Sequence, residues 1–357
     1  MISKRAQSVD SSGIRKVFDL AAKLKDPINL SIGQPNFPAF TEVKKLAIKA
    51  INEDKSSYTP TQGNPELCDK IAKTYNMPEM KVFLTSGVSA GLFLSYAVLL
   101  DPGDEILIPD PFFCIYRDLA HMINAKPVYY DTYPDFIPRV ENIESQVTSK
   151  TKAIVINSPS NPTGYALSKT ELDDLVEFAK SKDLVIIYDE IYSCFAFDAE
   201  HVRPDYDKLI ILNGFSKSAG VPGWRMAYVL APEVLAKEML KLQQYTFVCA
   251  NSIGQYALTA SVDYDFSGLL SSYRKKRDMI VDGLKDKYKF VTPGGAFYIF
   301  PEAPGGDATK FVARCVENNL LVVPGNVFSR QDTNFRISFS ASEQQLERGI
   351  EVLRKLT

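Results

Sequence analysis

The feature that most constrains this chain is residues 213–228 (NGFSKSAGVPGWRMAY), which directly follow the apolar run LIIL at 209–212. An apolar run followed by a Gly- and Ser-rich loop predicts a buried strand that ends at the carboxyl edge of a sheet, where α/β proteins bind ligands. Lys217 lies in this loop, and Arg225 follows it. A lysine in a partly dry site has a lowered pKa, so its neutral amine can form a Schiff base. A solvated surface lysine is the alternative for this loop taken alone.

A second turn rich in Gly and Ser lies within VFLTSGVSAGLFLSYAVLL at 82–100, and this pattern predicts a strand, a tight turn and a buried helix. The first backbone N–H groups of a helix, with the helix dipole behind them, favour a bound anion. The N–H of Val88 and the hydroxyl of Ser89 are the natural donors here, and Arg225 would supply positive charge. Together with the Lys217 loop, this turn indicates a phosphate site.

Polar side chains end two further apolar runs, AIVINSPSNPTG at 153–164 and LVIIYDEIY at 184–192. Asn161, Asp189 and Tyr192 lie at the ends of these predicted strands. A carboxylate that follows a run as apolar as LVIIY needs a partner to offset its desolvation, and a protonated ring nitrogen is one such partner. For each residue taken alone, an Asp that caps a helix and an Asn in a turn are the alternatives.

In this order, NPTG (161–164), DEIY (189–192) and the loop around Ser216-Lys217, Gly223 and Arg225 resemble class I aminotransferases of the aspartate/aromatic type, subgroup I-gamma. These are fold type I enzymes that use pyridoxal 5′-phosphate, and the resemblance extends over nearly the whole chain. It implies an α/β fold with a mostly parallel, seven-stranded-type sheet between helices and a smaller α+β domain. It also implies that the protein moves the α-amino group of an L-amino acid to a 2-oxo acid by a ping-pong mechanism.

The resemblance assigns a role to each matching position. Lys217 would hold the cofactor as a Schiff base and move the proton during catalysis, while Asp189 would pair with the pyridine nitrogen. Tyr192 completes the implied catalytic set, and with Asn161 it would donate to the phenolate oxygen. Phe113 would stack on the ring. The implied phosphate contacts are Val88, Ser89, Ser216, Arg225 and Tyr58, the last reaching the neighbouring subunit of a homodimer.

Substrate binding is assigned in the same way to Gly33, Asn161 and Arg336. Arg336 lies in the apolar strand FRISFS at 335–340, and the resemblance implies that its guanidinium binds the α-carboxylate through two parallel hydrogen bonds. A structural ion pair with an internal Asp or Glu is the alternative, because a buried guanidinium calls for a carboxylate. Gly33 would bring a backbone N–H close to the substrate.

Composition narrows the class of protein. The 357 residues include 41 basic and 43 acidic side chains, which give a formal charge of −2. The chain therefore lacks the excess of positive charge that is typical of proteins that bind nucleic acid. The longest apolar run, LFLSYAVLL at 92–100, is too short to span a bilayer, and the start lacks a secretory apolar stretch, so we expect no membrane partner and a cytoplasmic protein. Five scattered cysteines and two histidines argue against a disulfide framework and against a metal site.

We expect a large cofactor-binding domain at 41–255 and a small domain formed by 1–40 plus 256–357.

Amphipathic spacing predicts a helix at 14–25, a second at 41–54 capped by Thr41, and a long helix from about 255. The basic run RKKR at 274–277 is expected on a solvated helix face. Further helix starts are predicted at Asn64-Pro65, at Ser168 with Glu171, and at Ser342 with Gln345.

Three matters stay open in the sequence. A β-eliminating lyase on the same fold is an alternative, because the bond that breaks depends on its alignment with the cofactor. A non-catalytic cofactor-sensing regulator is a more distant one, because no residues are left over for a DNA-binding module. The aromatic residues Phe37, Phe112 and Phe113 favour aromatic or other apolar amino donors, while aspartate and alanine remain open.

Overall fold

The structure, a computed structural model, describes residues 1–11, 13–14, 17 and 24–357. The helix predicted at 14–25 falls mostly outside these residues. The described strands are β1 (Ile28–Asn29), β2 (Met80–Thr85), β3 (Glu105–Asp110), β4 (Lys126–Asp131), β5 (Thr151–Asn157), β6 (Val185–Asp189), β7 (Leu209–Gly214), β8 (Ala227–Pro232), β9 (Tyr298–Ile299), β10 (Leu320–Leu321), β11 (Val323–Pro324) and β12 (Phe335–Ser338).

The described α-helices connect and cover these strands. They are α1 (Lys4–Gln7), α2 (Thr41–Asn52), α3 (Pro65–Tyr75), α4 (Val88–Leu99), α5 (Cys114–Met122), α6 (Val140–Glu144), α7 (Lys169–Ser181), α8 (Phe215–Ser218), α9 (Glu233–Thr246), α10 (Ser252–Leu258), α11 (Ser267–Leu284), α12 (Ala308–Glu317) and α13 (Glu343–Lys355). None of these described helices is both long enough and apolar enough to cross a membrane.

Seven strands form one mixed sheet in the order β2-β8-β7-β6-β5-β3-β4. Strands β4, β3, β5, β6 and β7 are paired in parallel, while β8 runs antiparallel to both β7 and β2. The carboxyl ends of β2, β3, β5, β6 and β7 therefore lie at the same edge as the amino end of β8. This confirms the prediction of a mostly parallel seven-stranded sheet between helices.

Both faces of this sheet are buried, which explains why its strands read as nearly continuous apolar runs. Along β5, Ala153 and Val155 belong to one hydrophobic core, and Ile154 and Ile156 belong to the other. Because side chains alternate along a strand, each apolar run supplies both cores at once. The packing fixes the strand ends, and with them the residues that follow each strand.

A separate core lies under two small sheets built from both ends of the chain. Strand β1 pairs in parallel with β10, with Ile28 opposite Leu320, and β12 lies between β11 and β9 in antiparallel pairing. Helices α11 and α13 contribute Ile280, Leu346 and Leu353 to this core. The residues that immediately follow β1 are thereby fixed against the carboxyl-terminal third of the chain.

Helix starts agree with the sequence in two of four cases. Asn64 accepts a hydrogen bond from the N–H of Leu67, and Ser168 forms the predicted reciprocal box with Glu171. Thr41 is the first helical residue of α2 rather than its cap, so that prediction is wrong. The fourth start, at residue 342, is half correct: its serine hydroxyl accepts from the N–H of Gln345, but the Gln345 side chain turns away to accept from the N–H of residue 29.

The long helix predicted from about 255 is wrong, because the chain leaves the helix between α10 and α11. Asp265 accepts hydrogen bonds from the backbone N–H and hydroxyl of Ser267 and so starts a new helix. Before that start, the ring of Tyr264 stacks on Phe40, with centroids 3.6 Å apart. This aromatic contact holds the turn against α2.

The expectation of a solvated basic run at 274–277 is wrong for two of its four residues. Lys276 and Arg277 are only 4% and 6% exposed, because they lie on the buried stripe of α11. Arg277 donates to Asp198 over 2.6 Å and to the carbonyl of Pro293 over 3.0 Å. Half of the run therefore anchors neighbouring segments instead of facing water.

Candidate active site

A cavity of about 180 Å³ opens at the edge where the parallel strands end. It is lined by residues from the ends of β5, β6 and β7, from the start of α4, and from the segment before β8. Nine predicted site residues lie in its wall: Val88, Ser89, Phe113, Asn161, Asp189, Tyr192, Ser216, Lys217 and Arg225. With Phe113, which lies between β3 and α5, residues from six segments of the sequence thus meet at one place.

Lys217 lies on the short helix α8, directly after the buried strand β7. Its Nζ donates to the carbonyl oxygen of Gly33 over 2.5 Å. Burial lowers the pKa of the Lys217 amine to about 8, and the positive charges of Arg336 and Arg225 act in the same direction while Asp189 opposes them. The neutral, nucleophilic form of this amine is therefore much more accessible near neutral pH than that of an ordinary lysine, although the protonated form still predominates.

Asp189 ends β6 and is 2% exposed. Its Oδ2 accepts from the hydroxyl of Tyr116 over 2.8 Å, and its Oδ1 accepts from the N–H of Ile191 over 3.2 Å. Burial raises the pKa of this carboxyl to about 6 even though both donors favour the ionised form. A buried carboxylate in a cavity wall with two neutral donors is suited to a cationic partner inside the cavity.

Arg336 lies on β12 and is 1% exposed, beside Asn161 at the cavity wall. Its Nη1 donates to Oδ1 of Asn161 and its Nη2 donates to the carbonyl of Ser31, each over 2.8 Å. Nε has no hydrogen-bond partner among the described residues. Burial lowers the pKa of this guanidinium, and no described carboxylate pairs with it. Among the described residues, no Asp or Glu forms the structural ion pair that was the alternative.

Two aromatic rings enclose the Arg336 guanidinium. Its Cζ lies 4.5 Å from the ring centres of both Tyr298 and Phe328. Cation–π contacts stabilise a guanidinium without neutralising it. Arg336 is therefore held in place by neutral groups and keeps its charge available for an anion.

At the other end of the cavity, the start of α4 faces Arg225. No side chain caps this helix at Gly87, whose φ is 84°. A Cβ at Gly87 would lie 2.2 Å from Nη2 of Arg225, so the guanidinium approaches the turn as closely as a glycine permits. Arg225 reaches this edge because β8 runs antiparallel and begins here. The helix start, Ser89, Ser216 and the guanidinium together form a cup for an anion.

Sequence reasoning missed several groups. The Tyr192 hydroxyl lies 2.8 Å from that of Tyr298, which is 106 positions away and carries no sequence signal of the contact. Tyr116, the donor to Asp189, follows Phe113 by three residues on α5, and this helical spacing is a signal that could have been used.

Glu190, next to Asp189, is fully buried on the opposite side of the strand end. Burial alone would raise its pKa, but the hydrogen bond from His201 and the charge of Arg203 hold the pKa of this carboxyl below its ordinary value. The four side chains that surround the carboxylate are Tyr75 (2.5 Å), His201 (2.7 Å), Arg203 (2.8 Å) and Asn213 (3.0 Å). This cluster ties the end of β6 to the end of β7.

Other predicted residues lie elsewhere. Phe112 is 1% exposed and packs against Tyr129, so it belongs to the core and the prediction that it lines the substrate site is wrong. Phe37 stacks on Phe40 outside the cavity wall. Tyr58 is 86% exposed and is not among the described residues that line the cavity of its own chain.

The donor set fits pyridoxal phosphate, the group that the resemblance implies. A cup of N–H groups, hydroxyls and a guanidinium suits its phosphate, and the buried Asp189, with a pKa of about 6, suits a protonated pyridine nitrogen. Lys217 supplies a neutral amine for its aldehyde, and Arg336, with an unpartnered buried Nε, suits a second anion. The cavity thus offers a complementary group for each reactive part of the cofactor.

Comparison with known proteins gives the same result. The family model for aminotransferase class I and II matches residues 25–353. An aspartate aminotransferase of Pyrococcus abyssi is 32% identical over 380 aligned positions, and aromatic-amino-acid aminotransferase 2 of Thermococcus litoralis is 31% identical over 380; each alignment covers 99% of this chain and 98% of the relative. The aspartate aminotransferase of Thermus thermophilus with maleate superposes with a TM-score of 0.95 at 28% identity, covering 100% of both chains. The chain therefore belongs to the class I and II aminotransferases, enzymes that use pyridoxal phosphate to move amino groups between amino acids and 2-oxo acids.

Proposed function

We propose that Lys217 is the residue that carries the cofactor and moves the proton in this aminotransferase. The observation that carries this proposal is its amine, which has a pKa of about 8 and lies in the wall of the same cavity as Asp189 and Arg225. When bound, pyridoxal phosphate supplies an electron sink that stabilises negative charge on the α carbon of the amino acid. The neutral Nζ of Lys217 can accept the proton that leaves this carbon.

The other cavity residues hold and polarise the cofactor in this proposal. Asp189 keeps a proton on the pyridine nitrogen, and Asn161 and Tyr192 donate to the phenolate oxygen. Phe113 covers the ring. The phosphate is bound by the N–H of Val88 and by Ser89, Ser216 and Arg225, all in the cavity wall.

Arg336 binds the α-carboxylate of the substrate, with Asn161 and Gly33 beside it. Support comes from a guanidinium that is buried, held by neutral acceptors and without a described carboxylate partner. Such a group is poised for two parallel hydrogen bonds to a carboxylate. The amino group of the substrate would then lie toward Lys217.

For the side chain of the amino donor we propose an aromatic or other apolar group. With Phe37 and Phe112 outside the cavity, the support is Phe113 in its wall and the rings of Tyr298 and Phe328 that flank Arg336. A panel of aromatic, aliphatic and acidic donors with 2-oxoglutarate or pyruvate should give the highest kcat/KM for a donor with an apolar side chain. A preference for aspartate would contradict this assignment.

The decisive variant is Lys217→Ala. It should lower the rate of keto-acid formation by orders of magnitude, because no other amine lines the cavity among the described residues. Its melting temperature should stay near that of wild type. Burial disfavours the charged form of this amine, so its removal should not destabilise the fold. A rate within tenfold of wild type would contradict the role of Lys217.

We also propose a homodimer in which Tyr58 reaches the phosphate site of the partner subunit. Its 86% exposure in the single chain is compatible with a role outside its own cavity. Sedimentation should show a dimer. Tyr58→Phe should weaken cofactor binding without dissociating the dimer. A monomer that retains full activity would contradict this arrangement.

For the division of the chain, we propose a large domain from about 41 and a small domain from both termini. The expected boundary at 255 falls inside α10 (Ser252–Leu258), which packs with α2, so we place the boundary after this helix.

We also propose that the enzyme works in the cytoplasm. All five of its cysteines are free thiols, as in proteins of reducing compartments.

A further inference from the structure

The segment 31–37 runs past the cavity and supplies backbone acceptors to two of its cations. The carbonyl of Ser31 accepts from Nη2 of Arg336 over 2.8 Å, and the carbonyl of Gly33 accepts from Nζ of Lys217 over 2.5 Å. A carbonyl moves with its backbone. Any displacement of this segment would therefore change the position of both cations.

Asn36, near the end of the segment, is held by two side chains of α11. Its Oδ1 accepts from the hydroxyl of Tyr273 and from Nζ of Lys276, each over 2.9 Å, and its backbone N–H donates to the Tyr273 hydroxyl over 3.1 Å. Tyr273 and Lys276 are three residues apart, on one face of the helix, and are 1% and 4% exposed. The Lys276 ammonium also lies 4.7 Å from the Tyr273 ring centre. We call these three residues the Asn36 clamp.

Lys276 is an unusual cation for a buried position. Burial lowers the pKa of its amine to about 8, with Glu343 opposing from a distance, and no ion pair joins it to a carboxylate among the described residues. Its neighbour Lys275 has a side chain 69% exposed and pairs with Glu343 over 2.9 Å. A buried charge without a carboxylate partner lowers stability, so Lys276 does not stabilise the fold as an ion pair would.

We propose that Tyr273 and Lys276 are positioning residues for the amino-acid site. Through Asn36 they fix the segment that carries the carbonyls of Ser31 and Gly33, and thereby the guanidinium of Arg336 and the amine of Lys217. This inference rests on the roles proposed above for Arg336 and Lys217. The clamp acts on the substrate end of the cavity, while the phosphate cup belongs to the large sheet and is built independently of it.

The test is Lys276→Met in the full-length holoenzyme, with Lys275→Met as the matched control. Met keeps the length and apolar volume of the side chain but removes the donor. We expect kcat/KM for amino donors to fall at least tenfold, mainly through a higher KM, with cofactor absorbance retained. The melting temperature should be equal or higher, because a buried unpaired charge is replaced by an apolar group. Lys275→Met should stay within twofold of wild type in both kinetic constants.

Hydrogen exchange gives a readout that does not depend on activity. In cofactor-free protein, amides 31–37 should exchange at least tenfold faster in Lys276→Met than in wild type or Lys275→Met. Combining Lys276→Met with Asn36→Ala should give no greater loss of kcat/KM than either change alone, since both remove the same contact.

An unchanged KM and unchanged exchange in Lys276→Met would overturn the clamp, as would a fully additive loss in the double variant. A loss of activity that follows a lower melting temperature would also overturn it, because that pattern marks a purely structural role. These outcomes require an active wild type. A wild type that forms no keto acid would instead refute the proposed function.

Discussion

Arg336 and Asn161 are 175 positions apart in the chain, and Nη1 of the arginine donates to Oδ1 of the asparagine over 2.8 Å. The asparagine follows a strand of the large sheet, and the arginine lies on a strand of the small sheet. The hydrogen bond therefore joins the two parts of the fold at the cavity. A substrate carboxylate bound by Arg336 would lie at this junction.

Arg336→Lys tests the two-point binding of the carboxylate. Lysine keeps the charge but loses the planar fork, and each charge-assisted hydrogen bond contributes roughly 1.5–3 kcal/mol. We expect kcat/KM to fall at least about tenfold for apolar, aromatic and acidic donors alike, with the cofactor absorbance retained. A loss confined to acidic donors would show that Arg336 reads the substrate side chain instead. A variant that unfolds and loses its colour would show that the arginine is structural.

Asp189→Asn tests how ionisation of this carboxyl changes the stability of the cofactor-free protein with pH. Burial raises its pKa from 3.8 to about 6, so the folded cofactor-free protein holds the proton more tightly than the unfolded chain does. Its contribution to stability is therefore complete below pH 3.8 and is lost as the pH rises through about 6. The cofactor-free Asn variant should be more stable than wild type near pH 7, with a difference that shrinks toward about pH 4. Urea unfolding at several pH values measures this difference, and a constant difference would contradict the explanation.

The same variant should show an opposite effect on catalysis. Without a carboxylate at residue 189, nothing in the cavity wall holds a proton on the pyridine nitrogen. The half-reaction with an amino donor should slow by orders of magnitude, while the cofactor stays bound through Lys217 and the phosphate cup. A rate within a few-fold of wild type would show that Asp189 is only structural.

Gly87→Ala tests the phosphate cup. The new Cβ would lie 2.2 Å from Nη2 of Arg225 and would force the guanidinium away from the helix start. Gly103→Ala is the matched control, because its φ of 91° is also positive but, apart from its chain neighbours, no heavy atom of the described residues lies within 4 Å of its Cβ position. Both changes should cost on the order of 1–3 kcal/mol of stability through backbone strain. Only Gly87→Ala should weaken cofactor binding, by tenfold or more in a fluorescence titration, and equal affinities would contradict the cup.

Glu190→Gln tests the buried cluster behind Asp189. The substitution leaves Arg203 and its neighbours without a carboxylate and should lower the free energy of unfolding by at least about 2 kcal/mol. The control is Glu302→Gln, whose partner Lys289 has a side chain 73% exposed, and its cost should be below about 1 kcal/mol. Similar costs for the two variants in urea unfolding would show that the cluster does not stabilise the strand ends.

Much of the site was predictable because chemistry follows strand ends. Asp189 comes directly after an apolar run and Lys217 lies five residues after one, and parallel strands bring such positions to one edge. The direction of β8, which brings Arg225 to this edge, has no local signal and depends on pairing along the whole sheet. The contact between Tyr192 and Tyr298 likewise depends on how the small sheets dock.

The misjudged basic run has a different cause. Charge at 274–277 suggested solvent, but Tyr273, Lys276, Arg277 and Ile280 share the helical spacing of a buried stripe. Position on the helix, rather than residue type, decides which of these side chains are buried. Phe112 was misplaced for a related reason, since neighbouring aromatic residues in a turn can point to the core or to the cavity, and only packing decides between them.

The most direct test of the account is reduction of the wild-type holoenzyme with borohydride, followed by digestion and peptide mass analysis. Reduction fixes the bond between the cofactor and the amine that carries it. We expect a yellow protein that turns colourless and a single cofactor adduct on Lys217. An adduct on any other lysine, including Lys276 with its equally lowered pKa of about 8, would contradict it.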